Sequence, residues 1–370
     1  MAERILTGRE LNRALLARQL LLERADLGLD GAIEQIGGLQ TQYSPSGYVG
    51  LWSRLRDFRR ESLTEALEDR SVVQATAMRA TIHMLSAADY PLMAEATRAT
   101  RAAWWHRTMR ARLEGIDMDE VAIATRAILA DRPRPAAEIQ AALEELGFPR
   151  IAWASVGQWL DMVRVPPSGT WRRRKADLYW LADQWLAGAD RAPTPSGAST
   201  PSGASMPSAA TTAEAGTELL VRRYLGGFGP APLPDIANWA GLPAKLIAPT
   251  IDGLDLRRFR DERGRELLDL PDAPLPEAGT PAPIRFLPTW DATLLVHARR
   301  TGIVPEHRRP VIFNSKTPHS VPTFLMDGVV AGTWRYEKGR VSVSPFEQLP
   351  AAAAREVDAE AERLAAFHVD

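Results

Sequence analysis

Hydrophobic and polar positions along the chain follow two spacings, and these spacings recur in the same order. Before residue 68 the apolar residues recur at helical intervals, as Leu11, Leu15 and Leu16 do. From Val72 to Ser86 a stretch rich in β-branched residues alternates well enough to predict a pair of strands. Helices followed by a strand pair are the element order of a winged-helix domain.

Two local signals predict where helices of this first module begin. Thr7 and Glu10 have the spacing of a capping box, in which each side chain hydrogen-bonds the backbone of the other residue. Ser62 and Glu65 repeat that spacing and predict a second helix start. The first module is therefore predicted to be mainly helical up to its strand pair.

The same order returns twice further along the chain. After residue 114 three helical patterns precede a strand, a basic turn and a second strand. From residue 214 three more helical patterns precede the strand LRRFR, the turn DERG and the strand RELLDL. Between these modules, residues 190–213 contain TPSGAS twice, a composition that buries too little apolar surface to fold, so we predict a disordered linker.

The last part of the chain is predicted to be mainly strands. Its strand segments, separated by Gly, Pro and Asp turns, are RFLPTWDATLLVHA, RPVIF, VPTFLMDGVVAGTWRYEKG and RVSVSPF. An amphipathic helix closes the chain from Glu356 to Phe367. We therefore predict an α+β fold with three tandem winged-helix domains followed by a small C-terminal β-rich domain. The predicted domains are residues 1–113, 114–189, 214–275 and 276–370, with the linker at residues 190–213.

Composition excludes several classes of site. None of the 370 residues is Cys, so disulfides, thiolate catalysis and thiolate metal sites are excluded. The amino terminus lacks an apolar signal core and no apolar run has the length of a membrane span, so we expect a cytosolic protein. A net charge of −1 neither favours nor opposes nucleic-acid binding, because a binding face needs only local charge. Large aromatic residues are expected in the core rather than as stacking platforms, including Trp153, Trp159, Trp239 and Trp334.

The segment GGLQTQYSP, Gly37 to Pro45, places two uncharged amides where two glycines must end a helix. If the chain is extended there, Gln40 and Gln42 point to one side while Leu39 and Thr41 point to the other. That arrangement predicts a small polar site. On its own it would be interpreted as a polar loop, because two amides make no reactive group by themselves.

Three winged-helix modules, a β-rich domain containing LPTWDATLL and DGVVAGTW, and the segment GGLQTQ together resemble the winged-helix DNA glycosylase family of bacteria, the AlkZ and YcaQ group. The resemblance covers nearly the whole chain except the linker. Its most specific part is the Gln-x-Gln pattern of Gln40 and Gln42, which is similar to the AlkZ branch, whereas the other branch has Asp at the second position. The motif MRATIHM also resembles the family, and we interpret its Arg79 and His83 as structural.

The resemblance implies a monofunctional DNA glycosylase that hydrolyses the N-glycosidic bond of N7-alkylpurines and unhooks interstrand crosslinks, in DNA repair or in self-resistance to a DNA-alkylating natural product. It implies Gln40 and Gln42 as catalytic residues, with the water assigned to Gln42, and it implies no cofactor and no metal. The partner would be double-stranded DNA with alkylated or crosslinked purines, bound by a nucleoid-associated monomer. Because a crosslinked base cannot swing out freely, the site is expected to be open.

DNA affinity requires cations that contact phosphates. The predicted wing of the second module carries four consecutive cations, and two segments of the β-rich domain carry the rest. For each run the alternative is a solvated surface. The candidates are Arg172, Arg173, Arg174, Lys175, Arg299, Arg300, His307, Arg308, Arg309, Lys316 and His319.

A second hypothesis is a DNA-binding protein without catalysis, either a regulator or a factor that shields lesions. Winged helices are mostly DNA-binding scaffolds, but no module has an obvious dimerisation helix for a symmetric operator. Hydrolysis or sequestration of a small molecule has little support, because no nucleophile with its base is visible. Asp291 with His297 could form a catalytic pair, although a structural histidine is the simpler interpretation.

Overall fold

The structure, a computed structural model, describes residues 4–187, 209–294, 298–299, 301–313 and 320–369. The chain divides into two compact units. The first comprises Met1–Ser62, Arg222–Ile236 and Leu254–Asp370, and the second comprises Leu63–Val221 and Ala237–Gly253. Both units contain helices and strands, so the predicted α+β fold class is confirmed.

Helices are the main regular structure of the described residues. They are α1 (Gly8–Arg18), α2 (Leu29–Gln35), α3 (Pro45–Trp52), α4 (Arg60–Glu68), α5 (Tyr90–Thr108), α6 (Met118–Ile128), α7 (Ala136–Glu145), α8 (Arg150–Val156), α9 (Ala182–Ala187), α10 (Ala209–Phe228), α11 (Leu233–Ala240), α12 (Ala244–Gly253), α13 (Arg309–Ile312) and α14 (Ala351–Val369). The longest of them, α5, α10 and α14, all carry charged residues. Within the described ranges, no helix combines the length and the apolar character that crossing a bilayer requires.

Short strands make up the rest of the regular structure. They are β1 (Ile5–Leu6), β2 (Leu39–Gln40), β3 (Val72–Thr76), β4 (Ile82–Ser86), β5 (Arg134–Pro135), β6 (Met162–Arg164), β7 (Leu178–Leu181), β8 (Arg257–Asp261), β9 (Glu266–Asp269), β10 (Arg285–Leu287), β11 (Thr323–Met326), β12 (Val329–Glu337) and β13 (Arg340–Pro345). In the first unit β10 to β13 pair in chain order, all antiparallel, and β8 pairs parallel with β1 and antiparallel with β9. In the second unit the antiparallel order is β4-β3-β6-β7-β5.

The predicted order of helices followed by a strand pair occurs three times along the chain. Helices α1 to α4 precede β3 and β4, helices α6 to α8 precede β6 and β7, and helices α10 to α12 precede β8 and β9. The two compact units do not coincide with the predicted domain boundaries, which stay predictions. The predicted linker, residues 190–213, lies outside the described residues as far as residue 208, and its last residues, from Ala209, belong to α10.

The amino-terminal helix begins where its capping box predicts. The Glu10 backbone N–H donates to Thr7 Oγ1 at 3.2 Å, and the Thr7 N–H donates to Glu10 Oε2 at 2.8 Å. The hydrogen bond from the Thr7 backbone N–H stabilises the charged carboxylate and is the main reason that the pKa of Glu10 lies below its usual value. Burial acts to raise this pKa. The apolar stripe of α1 is buried as predicted, including Leu11 and Leu15.

The second predicted helix start is wrong. Helix α4 begins at Arg60, so Ser62 lies in its first turn and does not cap it. Arg60 is held by a contact distant in sequence, because its Nη1 donates to the His368 carbonyl at 3.2 Å. A tertiary contact thus stabilises a helix start that the local signal places two residues later.

The carboxyl-terminal part is more helical than predicted. The segment RPVIF was predicted as a strand, but it forms α13, with Pro310 in the first turn, where a missing N–H removes no helical hydrogen bond. After β10, residues Ala292–Leu294 form a 3-10 turn and not a strand. Helix α14 begins at Ala351 rather than at Glu356, because the preceding alanine run has the highest helix propensity.

Candidate active site

The Gln segment begins where the backbone leaves α2 through two glycines. Gly37 has φ of +75° and Gly38 has φ of +84°, in the left-handed region that residues with a Cβ rarely adopt. The Gly38 N–H donates to the Ile33 carbonyl at 2.8 Å and so closes the end of the helix. After β2 the chain enters α3, which has Pro45 at its start. The segment is therefore fixed at both ends by residue types that suit those positions.

The two glutamine side chains lie on the same side of the segment, as the alternation predicts. Leu39 is 5% exposed and Thr41 is fully buried, whereas Gln40 is half-buried and Gln42 is exposed. Gln40 Nε2 donates to Gln42 Oε1 at 3.1 Å. The pair is open to solvent through Gln42, as expected for a site that accepts a substrate without enclosing it.

A buried glutamine that the sequence analysis did not single out holds the start of this segment. Gln19 follows α1 and is 1% exposed. Its Nε2 donates to the Ile36 carbonyl at 3.1 Å and to the Gly227 carbonyl at 2.8 Å. Ile36 is the last residue before the glycine turn, so Gln19 fixes the backbone from which the Gln segment starts.

Arg54 and Asp291 form a buried ion pair next to Gln19. The Arg54 Nη atoms donate to the two carboxylate oxygens at 2.8 and 2.9 Å, and each side chain is at most 1% exposed. Arg54 Nη2 also donates to Thr293 Oγ1 at 2.7 Å and to Gln19 Oε1 at 3.4 Å. Burial acts to raise the pKa of Asp291, but the charge and hydrogen bonds of Arg54, with those of Thr293, hold the pKa below its usual value. Asp291 is therefore ionised at neutral pH.

The motif LPTWDATLL thus acts on the Gln segment through the chain of contacts Asp291, Arg54, Gln19 and Ile36. Both oxygens of the Asp291 carboxylate accept hydrogen bonds from Arg54, which argues against Asp291 as a catalytic acid or base. His297, its possible catalytic partner in the sequence analysis, lies outside the described residues. The network contains no exposed titratable group, and its contacts connect Asp291 with the start of the Gln segment.

The chemistry available at the pair itself is that of two neutral amides. Each carbonyl oxygen accepts hydrogen bonds, each NH₂ donates them, and neither group exchanges a proton near neutral pH. Within the described ranges, no three residues of the types His, Cys, Asp and Glu lie close enough together to hold a metal ion. Gln40 and Gln42 can therefore orient water and polar substrate groups, but they cannot supply a strong base.

The MRATIHM motif forms the turn of the β3–β4 hairpin. Arg79 and Ala80 have φ of +53° and +58°, a left-handed pair that such turns usually build from Asn and Gly. The Thr81 N–H donates to the Met78 carbonyl at 3.1 Å, and Arg79 Nη1 donates to the Trp239 carbonyl at 2.6 Å. These contacts support the structural role predicted for Arg79.

His83 follows this turn as a buried, neutral side chain. It is 2% exposed, and its Nδ1 lies 3.0 Å from the Thr81 carbonyl oxygen. Burial, with the charges of Arg79 and Arg101, lowers the pKa of His83 to about 3, although the hydrogen bond with Thr81 acts to raise it. The folded protein therefore excludes a proton that an unfolded His83 would bind at mildly acidic pH.

The pKa of His83 is 6.5 in the unfolded chain and about 3 in the folded protein, so between these pH values only the unfolded chain is protonated at His83. We therefore expect the free energy of unfolding to fall as the pH is lowered from 6.5 towards about 3. A histidine whose folded pKa is lowered favours unfolding below its unfolded pKa. His83→Gln removes this titration, so its unfolding free energy should fall less steeply over the same window. Denaturant unfolding at a series of pH values measures this slope. His106→Gln, at an exposed position of α5, is the matched control, and a His83→Gln slope equal to wild type would contradict the prediction.

The predicted basic wing lies between β6 and β7 and is exposed at all four cations. Arg173 and Lys175 share the Asp177 carboxylate, at 2.9 and 3.0 Å. The Arg174 guanidinium lies over the Trp171 ring, 5.5 Å from its centroid. In the part of the chain that the structure describes, no carboxylate pairs with Arg172. The structure therefore distinguishes Arg172 as the least neutralised of the four predicted phosphate contacts.

Arg172→Gln is expected to weaken duplex binding and to reduce the slope of log Kobs against log salt concentration by about 0.9, the value of one lost phosphate contact. Arg173→Gln is expected to have a smaller effect, because Asp177 already neutralises part of its charge. Fluorescence anisotropy titrations over a range of salt concentrations measure both. Arg126→Gln on α6, an exposed Arg paired with Asp183 at 2.7 Å, is the control. An unchanged slope for Arg172→Gln would rule out this contact.

Of the four cations predicted in the β-rich part that the structure describes, three are paired with acids. Arg299 and Arg309 lie 3.2 and 3.3 Å from Glu306, and Arg308 lies 3.5 Å from Glu347. A phosphate would have to replace these carboxylates, so the stretch presents less positive charge than its composition indicates. The remaining candidates are His307, which is exposed, and Arg300, Lys316 and His319, which lie outside the described residues.

Comparisons with known proteins agree with this fold. Residues 33–367, which include the Gln segment and Asp291, match the family model described as DNA glycosylase AlkZ-like. The interstrand DNA cross-link repair glycosylase of Streptomyces sahachiroi is 26% identical over 374 residues, covering 94% of this chain and 93% of that protein. The solved structure of Streptomyces sahachiroi DNA glycosylase AlkZ matches the fold with a TM-score of 0.74 at 19% identity, over 98% of this chain and 97% of that chain. Because the family model matches nearly the whole sequence, the chain belongs to the AlkZ-like DNA glycosylase family.

Proposed function

We propose that this protein is a monofunctional DNA glycosylase that hydrolyses the N-glycosidic bond of N7-alkylpurines, including purines in interstrand crosslinks. The single observation that carries the proposal is the hydrogen-bonded pair of half-buried Gln40 and exposed Gln42, on a segment whose start is held by Gln19. Membership of the AlkZ-like family and the similarity to a cross-link repair glycosylase support it.

Two neutral amides suffice for this hydrolysis because of the nature of the leaving group. A purine alkylated at N7 is cationic, so it leaves as a neutral base when the glycosidic electron pair moves to it. The enzyme then needs no general acid. What remains is to position a water molecule on the opposite face of the sugar and to stabilise an oxocarbenium-like transition state, which fixed dipoles and correct orientation can do. An unmodified purine is a much poorer leaving group and is not expected to react.

The hydrogen bond within the pair assigns complementary roles to the two side chains. Gln42 Oε1 accepts one hydrogen bond from Gln40 Nε2 and retains a second acceptor site, which can accept a hydrogen from the attacking water. Gln40 then orients Gln42 and polarises its carbonyl. As the water oxygen bonds to the sugar carbon, its surplus proton passes to solvent, because an amide oxygen is too weak a base to keep it.

The exposure of Gln42 favours a crosslinked substrate. A base that is still tied to the opposite strand cannot enter a closed pocket, so its sugar must be attacked where it lies. An exposed pair can approach such a sugar without enclosing the base. The wing cations, with Arg172 foremost, would bind backbone phosphates of the DNA. A role in DNA repair or in self-resistance to a DNA-alkylating natural product would use the same reaction.

The direct test is base release from duplex DNA that carries one N7-methylguanine, and from duplex DNA that carries one N7-to-N7 interstrand crosslink. We expect wild-type protein to release the modified base from both, in more than one surrounding sequence, and to leave the undamaged duplex intact. Tight binding of both duplexes without any base release would contradict the proposal and would favour a non-catalytic DNA-binding protein. A preference for one undamaged sequence would favour a regulator.

A further inference from the structure

A cavity of about 240 Å³ lies wholly within the second compact unit. The β3–β4 hairpin forms one side, and residues of α8, β6 and β7 with the turn after α8 form the others. The side chains that matter for its chemistry are Ile82, Trp153, Gln158, Met162, Arg164 and Tyr179. The volume is below the range of about 300–1,000 Å³ that drug-sized ligands occupy, so the cavity suits a single small ring system.

Aromatic and apolar side chains form about half of the cavity wall, and polar groups form the rest. The rings of Trp153 and Tyr179 lie 5.4 Å apart at 85°, so the edge of one ring meets the face of the other. Ile82 and Met162 add apolar surface. Trp153 was expected in the core; it is half-buried, packs against the hydrophobic core cluster of this unit and also lines the cavity. A rigid aromatic wall of this kind is the surface on which planar rings stack.

Two polar groups in the wall lack partners. Gln158 is 7% exposed, and its buried Oε1 accepts no hydrogen bond. The buried Nε of Arg164 likewise donates none, and in the described part of the chain no carboxylate pairs with this guanidinium. Native proteins rarely leave such atoms unsatisfied, because the lost solvation is not recovered. An acceptor and a cationic donor beside an aromatic wall form a recognition site for a planar polar group.

The frame around the cavity is held in place before any ligand binds. Thr76, a lining residue at the end of β3, has its carbonyl fixed by Arg101 Nη1 at 2.7 Å. Ala80, another lining residue, lies in the strained left-handed turn that Arg79 holds. A preformed frame avoids the entropic cost of ordering these groups on binding.

We propose that this cavity receives one unstacked nucleobase of the bound DNA. Because Gln158 Oε1 and Arg164 Nε are buried, both side chains would have to turn towards the cavity on binding. An exocyclic amine or ring N–H of the base would then donate to Gln158 Oε1, and a carbonyl or ring nitrogen would accept from Arg164. The base would stack on the aromatic wall, which is how proteins hold bases that have left the helix. The site would anchor an unpaired base in DNA and not perform chemistry, because it contains no water-activating group. The inference depends on the proposed action on DNA, but it uses none of the residues of the Gln pair.

The test compares wild-type binding to an undamaged duplex and to the same duplex with a single bulged adenine. We expect the bulged duplex to bind about tenfold more tightly, which is the scale of one base stacked on an aromatic side chain. Gln158→Leu should remove most of this preference and leave the dissociation constant for the paired duplex unchanged. Its melting temperature should be equal or higher, because the substitution deletes an unsatisfied buried acceptor. Arg164→Gln should weaken the preference in the same way.

Gln184→Leu is the matched control for these variants. Gln184 also has a buried Oε1 without a partner, in the same unit, but it does not line the cavity. It should keep the full preference for the bulged duplex. The proposal is overturned if wild type binds both duplexes equally, or if Gln158→Leu keeps the preference. It is also overturned if adenosine monophosphate alone binds in a Gln158-dependent manner while the bulge has no effect, since the cavity would then serve a free nucleotide.

The readout is independent of base release. Undamaged DNA is used throughout, so absence of glycosylase activity with an intact bulge preference would reject the proposed reaction and leave the cavity assignment standing. Base release without a bulge preference would reject the cavity assignment and leave the proposed reaction standing.

Discussion

Gln42→Ala is expected to slow release of 7-methylguanine from duplex DNA by about 10²-fold, the scale of a lost orienting contact at a reacting centre. The dissociation constant for the duplex should change little, because phosphate contacts and not the amide supply the affinity. Single-turnover release rates with protein in excess separate this effect from binding. The expectation follows from the exposed side chain of Gln42, whose Oε1 is the acceptor proposed for the attacking water.

Gln40→Ala should cause a smaller loss than Gln42→Ala, because Gln40 acts on the water through Gln42. The double variant should be little slower than Gln42→Ala alone, since the two residues act as a unit. Gln140→Ala is the matched control: this glutamine lies on α7, in the second compact unit, and donates to Glu144 at 2.8 Å. Wild-type rates for both active-site variants, in folded protein, would assign the Gln segment to a structural loop.

The geometry of the Gln pair was predictable because it depends on a local rule. Side chains alternate along an extended segment, and two glycines at positive φ end the preceding helix, so Gln40 and Gln42 had to share one side once the segment was extended. The capping box of α1 was predictable for the same reason, because both of its partners lie within four residues.

The hydrogen bonds that hold the start of the Gln segment were not predictable, because they join residues that are far apart in sequence. Arg54 pairs with Asp291, and Gln19 bonds a carbonyl of Gly227, with no local pattern to indicate either contact. The motif LPTWDATLL did direct attention to Asp291, but its partner is set by tertiary packing. The error at Ser62 has the same origin, since the His368 carbonyl binds Arg60 and the helix starts there.

Trp153 and Trp239 follow the general preference of large aromatic residues for the core to different degrees, since Trp153 packs against a core cluster without being fully buried. Large aromatic residues are mostly core residues, and Trp239, at 1% exposure, follows that preference. Trp153 lies on α8 beside a cavity and is only half-buried. How deeply each Trp is buried depends on the residues that pack against its ring from other elements. The sequence of α8 alone does not identify those residues.

Asp291→Ala is expected to lower the free energy of unfolding by about 3–5 kcal/mol, the cost of leaving one member of a buried ion pair without its partner. The Arg54 guanidinium would remain buried, with only Gln19, Thr293 and the Gly50 carbonyl to accept its hydrogen bonds. Denaturant unfolding near neutral pH measures the change. Because the folded pKa of Asp291 is lowered, its contribution is present above the unfolded pKa and is lost as the pH falls through the folded value. The difference between wild type and variant should therefore shrink in acid.

Two further variants separate the ion pair from a general effect of losing a carboxylate. Asp255→Ala removes an exposed Asp of the same unit and should change stability by less than about 0.5 kcal/mol. Arg54→Met combined with Asp291→Leu replaces both charges with apolar groups and should recover much of the loss. It should not recover base release, because the contact from Arg54 to Gln19, which holds the start of the Gln segment, would still be missing. Full recovery of both stability and base release would show that the buried pair stabilises the fold without positioning the site.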